Sequence, residues 1–164
     1  MSKTMKDLQD AFAGESQANR KYLAFARKAE QEGFRQIARL FRAAAEAETV
    51  HAHNHLKEMG GIKSTGENLA EAINGESYEF QKMYPRMMKD AEEEGSKGAL
   101  RSFKYANEVE KIHAELYKKA LANLGNNAEA DYYVCQVCGN TVENEAPDEC
   151  PICGSKKKMF RKID

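Results

Sequence analysis

The chain has 164 residues, of which 41% are hydrophobic and 31% are charged, and its formal net charge is −1. This length fits one ordinary domain with a small appendage and excludes a large multidomain enzyme. The balanced charge, without a long basic run, argues against nucleic acid or an anionic membrane surface as a partner. No apolar stretch approaches the roughly 18 residues of a membrane span, and the N-terminus lacks the apolar segment of an export signal. We therefore expect a cytoplasmic protein with no membrane partner.

Four amphipathic helices are predicted in the first 125 residues, because apolar residues recur at helical spacing on one face of each segment. The first segment runs from Leu8 to Ala29, and the second begins near Gly33 and ends at Gly60-Gly61. The third begins near Glu67, and the fourth follows Gly95-Ser96 and stops at Gly125. Four such apolar stripes predict an all-α four-helix bundle.

Acidic residues occupy the helix faces that should be apolar. Near the middle of the helices these faces carry five glutamates and no Lys or Arg, namely Glu15, Glu48, Glu76, Glu79 and Glu110. A buried carboxylate without a partner is strongly unfavourable unless it takes up a proton, so five together require a compensating positive charge. A bound metal ion is the simplest source of that charge.

Two histidines strengthen the prediction of a metal site. His51 and His113 each follow a glutamate by three residues, in Glu48-x-x-His51 and Glu110-x-x-His113, and this spacing points both side chains to one side of a helix. The pattern also repeats, since Glu15 and Glu76 are 61 residues apart and the two histidines are 62 apart. One lone glutamate and one Glu-x-x-His per half is the ligand pattern of ferritin-like di-iron and di-manganese proteins. Oxygen-rich ligands with one imidazole per metal favour iron or manganese over zinc or copper.

Glu79 breaks this symmetry by giving the third helix a second glutamate. With it, the sequence resembles the rubrerythrins, and the matching motifs are Gly14-Glu15, Glu48-Thr49-Val50-His51, Gly75-Glu76-Ser77-Tyr78-Glu79, Met83-Tyr84-Pro85 and Glu108-Val109-Glu110-Lys111-Ile112-His113. The resemblance implies a ferritin-like fold and a di-iron site. By it, Glu48 and Glu110 bridge the metals, Glu15 binds one iron, and Glu76 and His113 bind the other. Glu79 and His51 are then expected to alternate on the first iron with its redox state.

Two tyrosines lie at similar distances along the chain from the lone glutamates, Tyr22 after Glu15 and Tyr84 after Glu76. The positions of both tyrosines are explained equally well by ordinary core packing and by a role at the metal site. By the resemblance, their hydroxyls lie beside the metals and help to position bound peroxide.

All four cysteines lie near the C-terminus, in Cys135-x-x-Cys138-Gly139 and Cys150-Pro151-x-Cys153-Gly154. Two such pairs form a strong tetracysteine metal signature, and their spacing alone does not separate a zinc ribbon from a one-iron rubredoxin centre. Disulfides are the weaker interpretation in a cytoplasmic protein. The resemblance favours a β-rich rubredoxin-like domain with one iron, for which zinc is a possible substitute. We place the bundle and its linker at residues 1–130 and the tetracysteine domain at residues 131–164.

The resemblance implies a non-haem di-iron peroxidase that reduces hydrogen peroxide to water and takes electrons through the tetracysteine iron. The sequence has no Gly-x-Gly-x-x-Gly dinucleotide fingerprint, so a separate reductase or rubredoxin-type carrier is expected to deliver electrons from a nicotinamide nucleotide. Two alternatives stay open. One is a ferroxidase or iron-handling protein, and the other is a non-catalytic binding module with a zinc ribbon.

The distance between the two predicted sites suggests the assembly. The bundle ligands lie near mid-helix, roughly 20 Å from the helix end, and six extended linker residues span about 20 Å at most. We therefore expect that a tail does not serve its own chain's site well. A head-to-tail homodimer, which the resemblance also implies, brings the tail of one subunit to the di-iron site of the other.

Overall fold

The computed structural model describes residues 2–164, which form five α-helices, one π-helical segment and a small sheet. They divide into two compact units, of which the first ends at Lys63 and the second runs from Ser64 to Asp164. Within residues 2–164, no helix combines the length and the apolar character that crossing a bilayer requires. The cytoplasmic location stays a prediction.

The first unit is a pair of long helices, α1 (Lys3–Gln31) and α2 (Arg35–Glu58). The helices are joined by a turn of three residues and pack against each other along their length, so they are antiparallel. Their buried contacts are made largely by small side chains, which let two helices approach closely, and these are Ala26, Ala29, Ala38, Ala45 and Ala52.

The helices of the second unit are α3 (Thr65–Tyr78), α4 (Tyr84–Glu93) and α5 (Lys97–Ala122). Ser64 and Glu67 form a capping box that satisfies free backbone N–H groups at the start of α3. A π-helical segment, Glu79–Met83, joins α3 to α4. Helices α3 and α4 both pack on α5.

The π-helical segment lies immediately before Pro85, a residue with no backbone N–H. The Tyr84 N–H donates to the Glu79 carbonyl five residues earlier, which is the hydrogen bond of a π-turn. The sequence predicts an irregularity at Pro85. The structure shows that it takes the form of a wider helical turn beginning at Glu79.

The C-terminal part of the second unit is a three-stranded antiparallel sheet with the order β2-β1-β3. The strands are β1 (Tyr132–Cys135), β2 (Thr141–Glu143) and β3 (Phe160–Ile163). In the register of the sheet, Val134 pairs with Thr141 on one side and with Arg161 on the other.

The predicted helix positions agree with the structure except within the third helix, which the π-helical segment divides. The predicted boundary at residue 130 stays a prediction. The two compact units divide the chain at a different place, after Lys63, so that the tetracysteine tail shares a unit with α3, α4 and α5.

Several large apolar residues of the first unit are exposed. The exposed fractions are 47% for Phe25, 58% for Phe34 and 48% for Ile37. Two helices packed side by side cover only one side of each other, so an apolar stripe wider than that contact stays open. The first unit therefore presents apolar surface that its own two helices do not bury.

Candidate metal centres

The first unit brings together one predicted ligand from α1 and two from α2. Glu15, Glu48 and His51 each offer a ligand atom, and these atoms lie within 4.8 Å of one another. His51 Nδ1 is 2.9 Å from Glu48 Oε2 and 3.9 Å from Glu15 Oε1. Both carboxylates thus converge on one ring nitrogen, as they must if all three residues bind one cluster.

A buried amide ties the two helices together one turn beyond Glu15. Asn19, which is 8% exposed, donates from Nδ2 to the Ala45 carbonyl at 2.7 Å and to Thr49 Oγ1 at 2.8 Å. Thr49 directly follows Glu48, so these bonds fix the register between the helix that carries Glu15 and the helix that carries Glu48 and His51.

The second unit contains a matching group, built from Glu76 on α3 with Glu110 and His113 on α5, whose ligand atoms also lie within 4.8 Å of one another. His113 Nδ1 is 2.8 Å from Glu110 Oε2 and 3.6 Å from Glu76 Oε1. The exposed fractions of the side chains are 20% for Glu76, 15% for Glu110 and 27% for His113. Both units therefore present two carboxylates around the Nδ1 atom of one histidine.

The carboxylates of the second unit are electrostatically strained without a cation. Burial, followed by the charge of Glu110, raises the pKa of Glu76 to about 7. The hydrogen bond to Glu110 raises the pKa of His113, although burial of the ring opposes this. Burial and mutual repulsion thus favour proton binding by this group, and a bound cation would relieve the same repulsion.

Glu79 lies next to this group but is not among its mutually close ligand atoms. It begins the π-helical segment, and burial, followed by the charge of Glu110, raises its pKa. Glu79 is therefore a nearby carboxyl group that is easily protonated.

The two predicted tyrosines have different surroundings. Tyr84 packs 6.3 Å from Phe103, measured between ring centroids, and burial followed by the charges of Glu79, Glu110 and Glu76 raises its pKa. It is thus close enough to the carboxylates to feel their charge. Tyr22 joins an aromatic cluster with Phe25 and Phe41, at 6.4 Å and 6.2 Å. Its contacts are those of a core aromatic.

The four cysteine sulfurs meet at one point in the second unit. They lie within 4.8 Å of one another, with 3.7 Å between Cys135 and Cys153 and 3.6 Å between Cys138 and Cys150. Sulfurs that bind one metal tetrahedrally at about 2.3 Å lie about 3.8 Å apart. All four cysteines are free, so the sulfurs fit a tetrathiolate metal and no disulfide is formed.

The two cysteine pairs have the same backbone conformation. The N–H of Gly139 donates to the Cys135 carbonyl and that of Gly154 to the Cys150 carbonyl, both at 2.9 Å. These glycines have φ values of +85° and +73°, a left-handed conformation that residues with a Cβ rarely adopt. Gly139 and Gly154 therefore allow the tight turn that follows each cysteine pair.

The residue after each glycine reaches across to the other cysteine pair. Asn140 Nδ2 donates to Cys150 Sγ at 3.6 Å, and Ser155 Oγ is 3.1 Å from Cys135 Sγ. Burial of Cys135 acts to raise its pKa, but hydrogen bonds from Ser155 and from the Val137 and Cys138 N–H groups outweigh it and lower the pKa to about 6. The protein therefore stabilises a thiolate at Cys135, as metal binding requires.

The tail folds back along α5 and reaches the second ligand group. Asn127 Nδ2 donates to the Ala120 carbonyl at 2.9 Å, and Lys119 pairs with Glu143 at 2.5 Å. Thr141 Oγ1 on β2 is 2.9 Å from His113 Nε2. The expectation that a tail lies too far from its own chain's ligands is therefore wrong for His113, because it considered the linker alone and not the reach of the folded tail.

Comparison with known proteins gives matches over nearly the whole chain. The Rubrerythrin family profile matches residues 6–121, and the profile "Rubrerythrin, rubredoxin-like domain" matches residues 133–161. Rubrerythrin-2 of Clostridium acetobutylicum is 39% identical over 94% of this chain and 93% of its own length. Nigerythrin of Nitratidesulfovibrio vulgaris is 37% identical over 96% of this chain and 85% of its own length.

A solved structure supports the same relationship. The structure described as the fully reduced, all-ferrous state of nigerythrin has a TM-score of 0.60 and 33% identity, and covers 99% of this chain and 88% of that one. Together with the two family profiles, this match confirms the predicted resemblance and the fold class, a ferritin-like helical part with a small rubredoxin-like tail. With the three ligand groups above, the matches also confirm the predicted cofactors, iron at the carboxylates and histidines and a metal at the four cysteines.

Proposed function

The chain belongs to the rubrerythrin family of iron-containing oxidoreductases, and we propose that it is a peroxidase that reduces hydrogen peroxide to water. The observation that carries the proposal is the repeated group of two glutamates and one histidine, formed once in each compact unit. In ferritin-like di-iron proteins, two such groups supply the ligands for a pair of metals. A simple structural role does not explain why the same charged group occurs twice.

We assign the ligands as the family resemblance implies. Glu48 and Glu110 would be shared between the two irons, Glu15 would hold one, and Glu76 with His113 would hold the other. Glu79 and His51 would alternate as ligands of the first iron with its redox state. Such an alternation would keep the site near electrical neutrality, since a carboxylate would take the place of a neutral imidazole when the metal charge is higher. When bound, iron at this site supplies two electrons for cleavage of the O–O bond, and iron at the cysteines supplies single electrons.

Residues of the second unit provide the proton chemistry. Reduction of H₂O₂ to two molecules of water consumes two protons as well as two electrons. Burial and the neighbouring carboxylates raise the pKa values of Glu79 and Tyr84, which makes both groups better able to hold a proton near the site. We propose that Tyr84, and Tyr22 in the first unit, orient peroxide through their hydroxyl groups.

Electrons are proposed to arrive at the cysteine site from outside the chain. The donor class is a reductase or a rubredoxin-type carrier that draws on a nicotinamide nucleotide, because the sequence contains no dinucleotide fingerprint of its own. We propose that this reaction protects the cytoplasm against peroxide.

We also propose a homodimer. The half-exposed apolar side chains Phe25, Phe34 and Ile37 on the first unit support it, because monomeric proteins rarely leave large apolar patches open to water. The predicted arrangement is head to tail.

The decisive experiment separates peroxide from oxygen as the oxidant. The iron-loaded protein is reduced without air and then mixed with stoichiometric hydrogen peroxide or oxygen, and the visible thiolate-to-iron band is followed. We expect fast recovery of the band with peroxide and slow recovery with oxygen. Equal or faster recovery with oxygen would favour a ferroxidase, and zinc at the cysteines with no metal at the carboxylates would favour a binding module.

Two variants test whether peroxide turnover depends on Glu79. Glu79→Gln removes the easily protonated carboxyl group, and we expect peroxide turnover to fall by about 10- to 100-fold. The matched control is Glu93→Gln, whose side chain is 65% exposed and pairs with Lys89. Unchanged turnover in Glu79→Gln would remove this residue from the mechanism.

A further inference from the structure

His51 and His113 occupy equivalent positions in the two halves of the chain, but the hydrogen bonding of their Nε2 atoms differs. For both residues, Nδ1 faces the ligand carboxylates. His113 Nε2 contacts Thr141 Oγ1 at 2.9 Å, whereas within residues 2–164 no hydrogen-bond partner is found for His51 Nε2. The His51 side chain is also 53% exposed, against 27% for His113. The tail therefore anchors one histidine and not the other.

Thr141 is placed to accept a hydrogen bond from His113. A hydroxyl group has one proton to donate, and Thr141 Oγ1 lies 3.1 Å from the Gly139 carbonyl, which can accept it. In that arrangement the hydroxyl oxygen is left as an acceptor, and the contact with His113 suits a ring that carries its proton on Nε2. A histidine that keeps its proton on Nε2 offers its other nitrogen, Nδ1, as a metal ligand.

We propose that Thr141 is a positioning residue for His113, holding the Nε2 proton so that Nδ1 is the nitrogen presented to the metal. The proposal deepens the proposed function and rests on it, since it concerns one ligand of the same site. Partners of this kind fix the tautomer and the ring orientation of metal-binding histidines. Here the partner comes from the tetracysteine tail.

Thr141 connects the two metal sites of the second unit, because it lies in the tetracysteine tail and contacts His113. Gly139, which accepts the hydroxyl proton, directly follows Cys138, and Thr141 lies two residues further along. Val109 of α5 packs beside Gly139 and is 3% exposed, so this part of the tail is held closely against the helix that carries His113. Correct folding of the cysteine site thus also places Thr141 beside His113.

Thr141→Val tests the proposal because valine keeps the shape of threonine and its preference for strands but lacks the hydroxyl group. Thr141→Ser is the matched control, since it keeps the hydroxyl group. The first measurement is nitrogen NMR of the imidazole rings in the full chain, with diamagnetic zinc at both the cysteines and the carboxylates, so that metal occupies His113 Nδ1 and the ring proton lies on Nε2. We expect the Nε2 proton of His113 to exchange with water faster in Thr141→Val than in the unaltered protein, with His51 unchanged as an internal reference.

The second measurement is titration of the same variants with Mn²⁺, starting with no metal at the carboxylates, followed by electron paramagnetic resonance. We expect the affinity of the site that contains His113 to fall by about 10- to 100-fold in Thr141→Val and to stay close to the original in Thr141→Ser. Retention of the cysteine-bound metal and of the helical circular dichroism would show that the variant is folded.

The outcomes separate this inference from the proposed function. If Thr141→Val leaves both the exchange of the His113 Nε2 proton and the Mn²⁺ affinity unchanged, Thr141 has no positioning role. Equal losses in Thr141→Val and Thr141→Ser would likewise overturn it, because the hydroxyl group would not be responsible. If the unaltered protein does not reduce peroxide, the proposed function fails, whereas the NMR comparison still decides the role of Thr141.

Discussion

Glu76 and His113 show how a metal site affects the protein when the metal is absent. Burial and the charge of Glu110 raise the pKa of Glu76 to about 7, and the hydrogen bond to Glu110 raises that of His113. Both residues therefore hold a proton more tightly in the folded protein than in the unfolded chain. A bound cation would replace these protons and remove the repulsion between the carboxylates.

This proton binding predicts how the stability of the metal-free protein depends on pH. A carboxyl group with a raised pKa destabilises the folded state as pH rises from its ordinary value of 4.5 towards about 7. The stabilisation from His113 is complete below its ordinary pKa of 6.5 and is lost as pH rises through its higher folded value. Both effects have the same sign, so we expect the melting temperature of the metal-free protein to fall as pH rises from about 4.5 to about 7, and to fall further as His113 loses its proton.

Glu76→Gln provides the test of this pH dependence, because glutamine cannot ionise. The variant should show a smaller fall in melting temperature over the same range and should be more stable than the unaltered chain at the alkaline end, by about 2 to 4 °C for each kcal/mol of repulsion removed. Glu93→Gln, at an exposed position, is the control. Identical pH profiles for all three proteins would show that Glu76 titrates normally in the fold.

Individual residues could be predicted from the sequence where helical spacing determines their direction. Glu48 with His51 and Glu110 with His113 are such pairs, since an i, i+3 spacing on one helix fixes a shared face. Thr141 could not be predicted in this way. Its contact with His113 joins residues 28 apart and depends on how the folded tail packs against α5.

At the scale of secondary structure, the ends of the helices follow local signals. Ser64 caps α3 through a capping box with Glu67, whereas Ser96 occupies the same position before α5 and makes no side-chain cap hydrogen bond. The π-helical segment has no comparable signal, because Pro85 predicts an irregularity but not its type. The segment lies just before Pro85, which has no N–H to donate to the preceding turn, and it joins two helices that both pack on α5.

The two serines give a matched pair for measuring a helix cap. We expect Ser64→Ala to destabilise the protein by about 1 kcal/mol, because free N–H groups at the start of α3 lose their acceptor. Ser96→Ala should have little effect, since no cap hydrogen bond is lost. Thermal or urea unfolding of the metal-loaded variants measures the difference. Equal effects at the two positions would mean that the capping box does not contribute to stability.

At the scale of the whole molecule, the chain carries two kinds of metal ligands in different structural settings. Oxygen and nitrogen ligands lie on long helices in both compact units, and the sulfur ligands lie on two tight turns of a small sheet. The tail of 34 residues is too small to bury an adequate core by itself, so a metal at its cysteines is expected to contribute to its folding. The sequence predicts this organisation because the ligand types are separated along the chain.

The attachment of the tail to α5 was not predictable from chain length. The reach of an extended linker does not give the position of the tail, because the residues after Ala122 turn back and bond to the helix through Asn127. The salt bridge between Lys119 and Glu143 and the contact between Thr141 and His113 hold the tail in place. Such contacts depend on tertiary structure, which a spacing argument does not include.

The central claim is that the glutamates in the two helical units are present to bind a pair of metals. Metal analysis combined with thermal unfolding, on the purified protein before and after metal removal, tests it most directly. We expect iron or manganese in excess of the one metal held by the cysteines, and a clear fall in melting temperature when the carboxylate-bound metal is removed while the cysteine site stays loaded. A protein without iron or manganese at the carboxylates that is equally folded and equally resistant to heat would contradict the account.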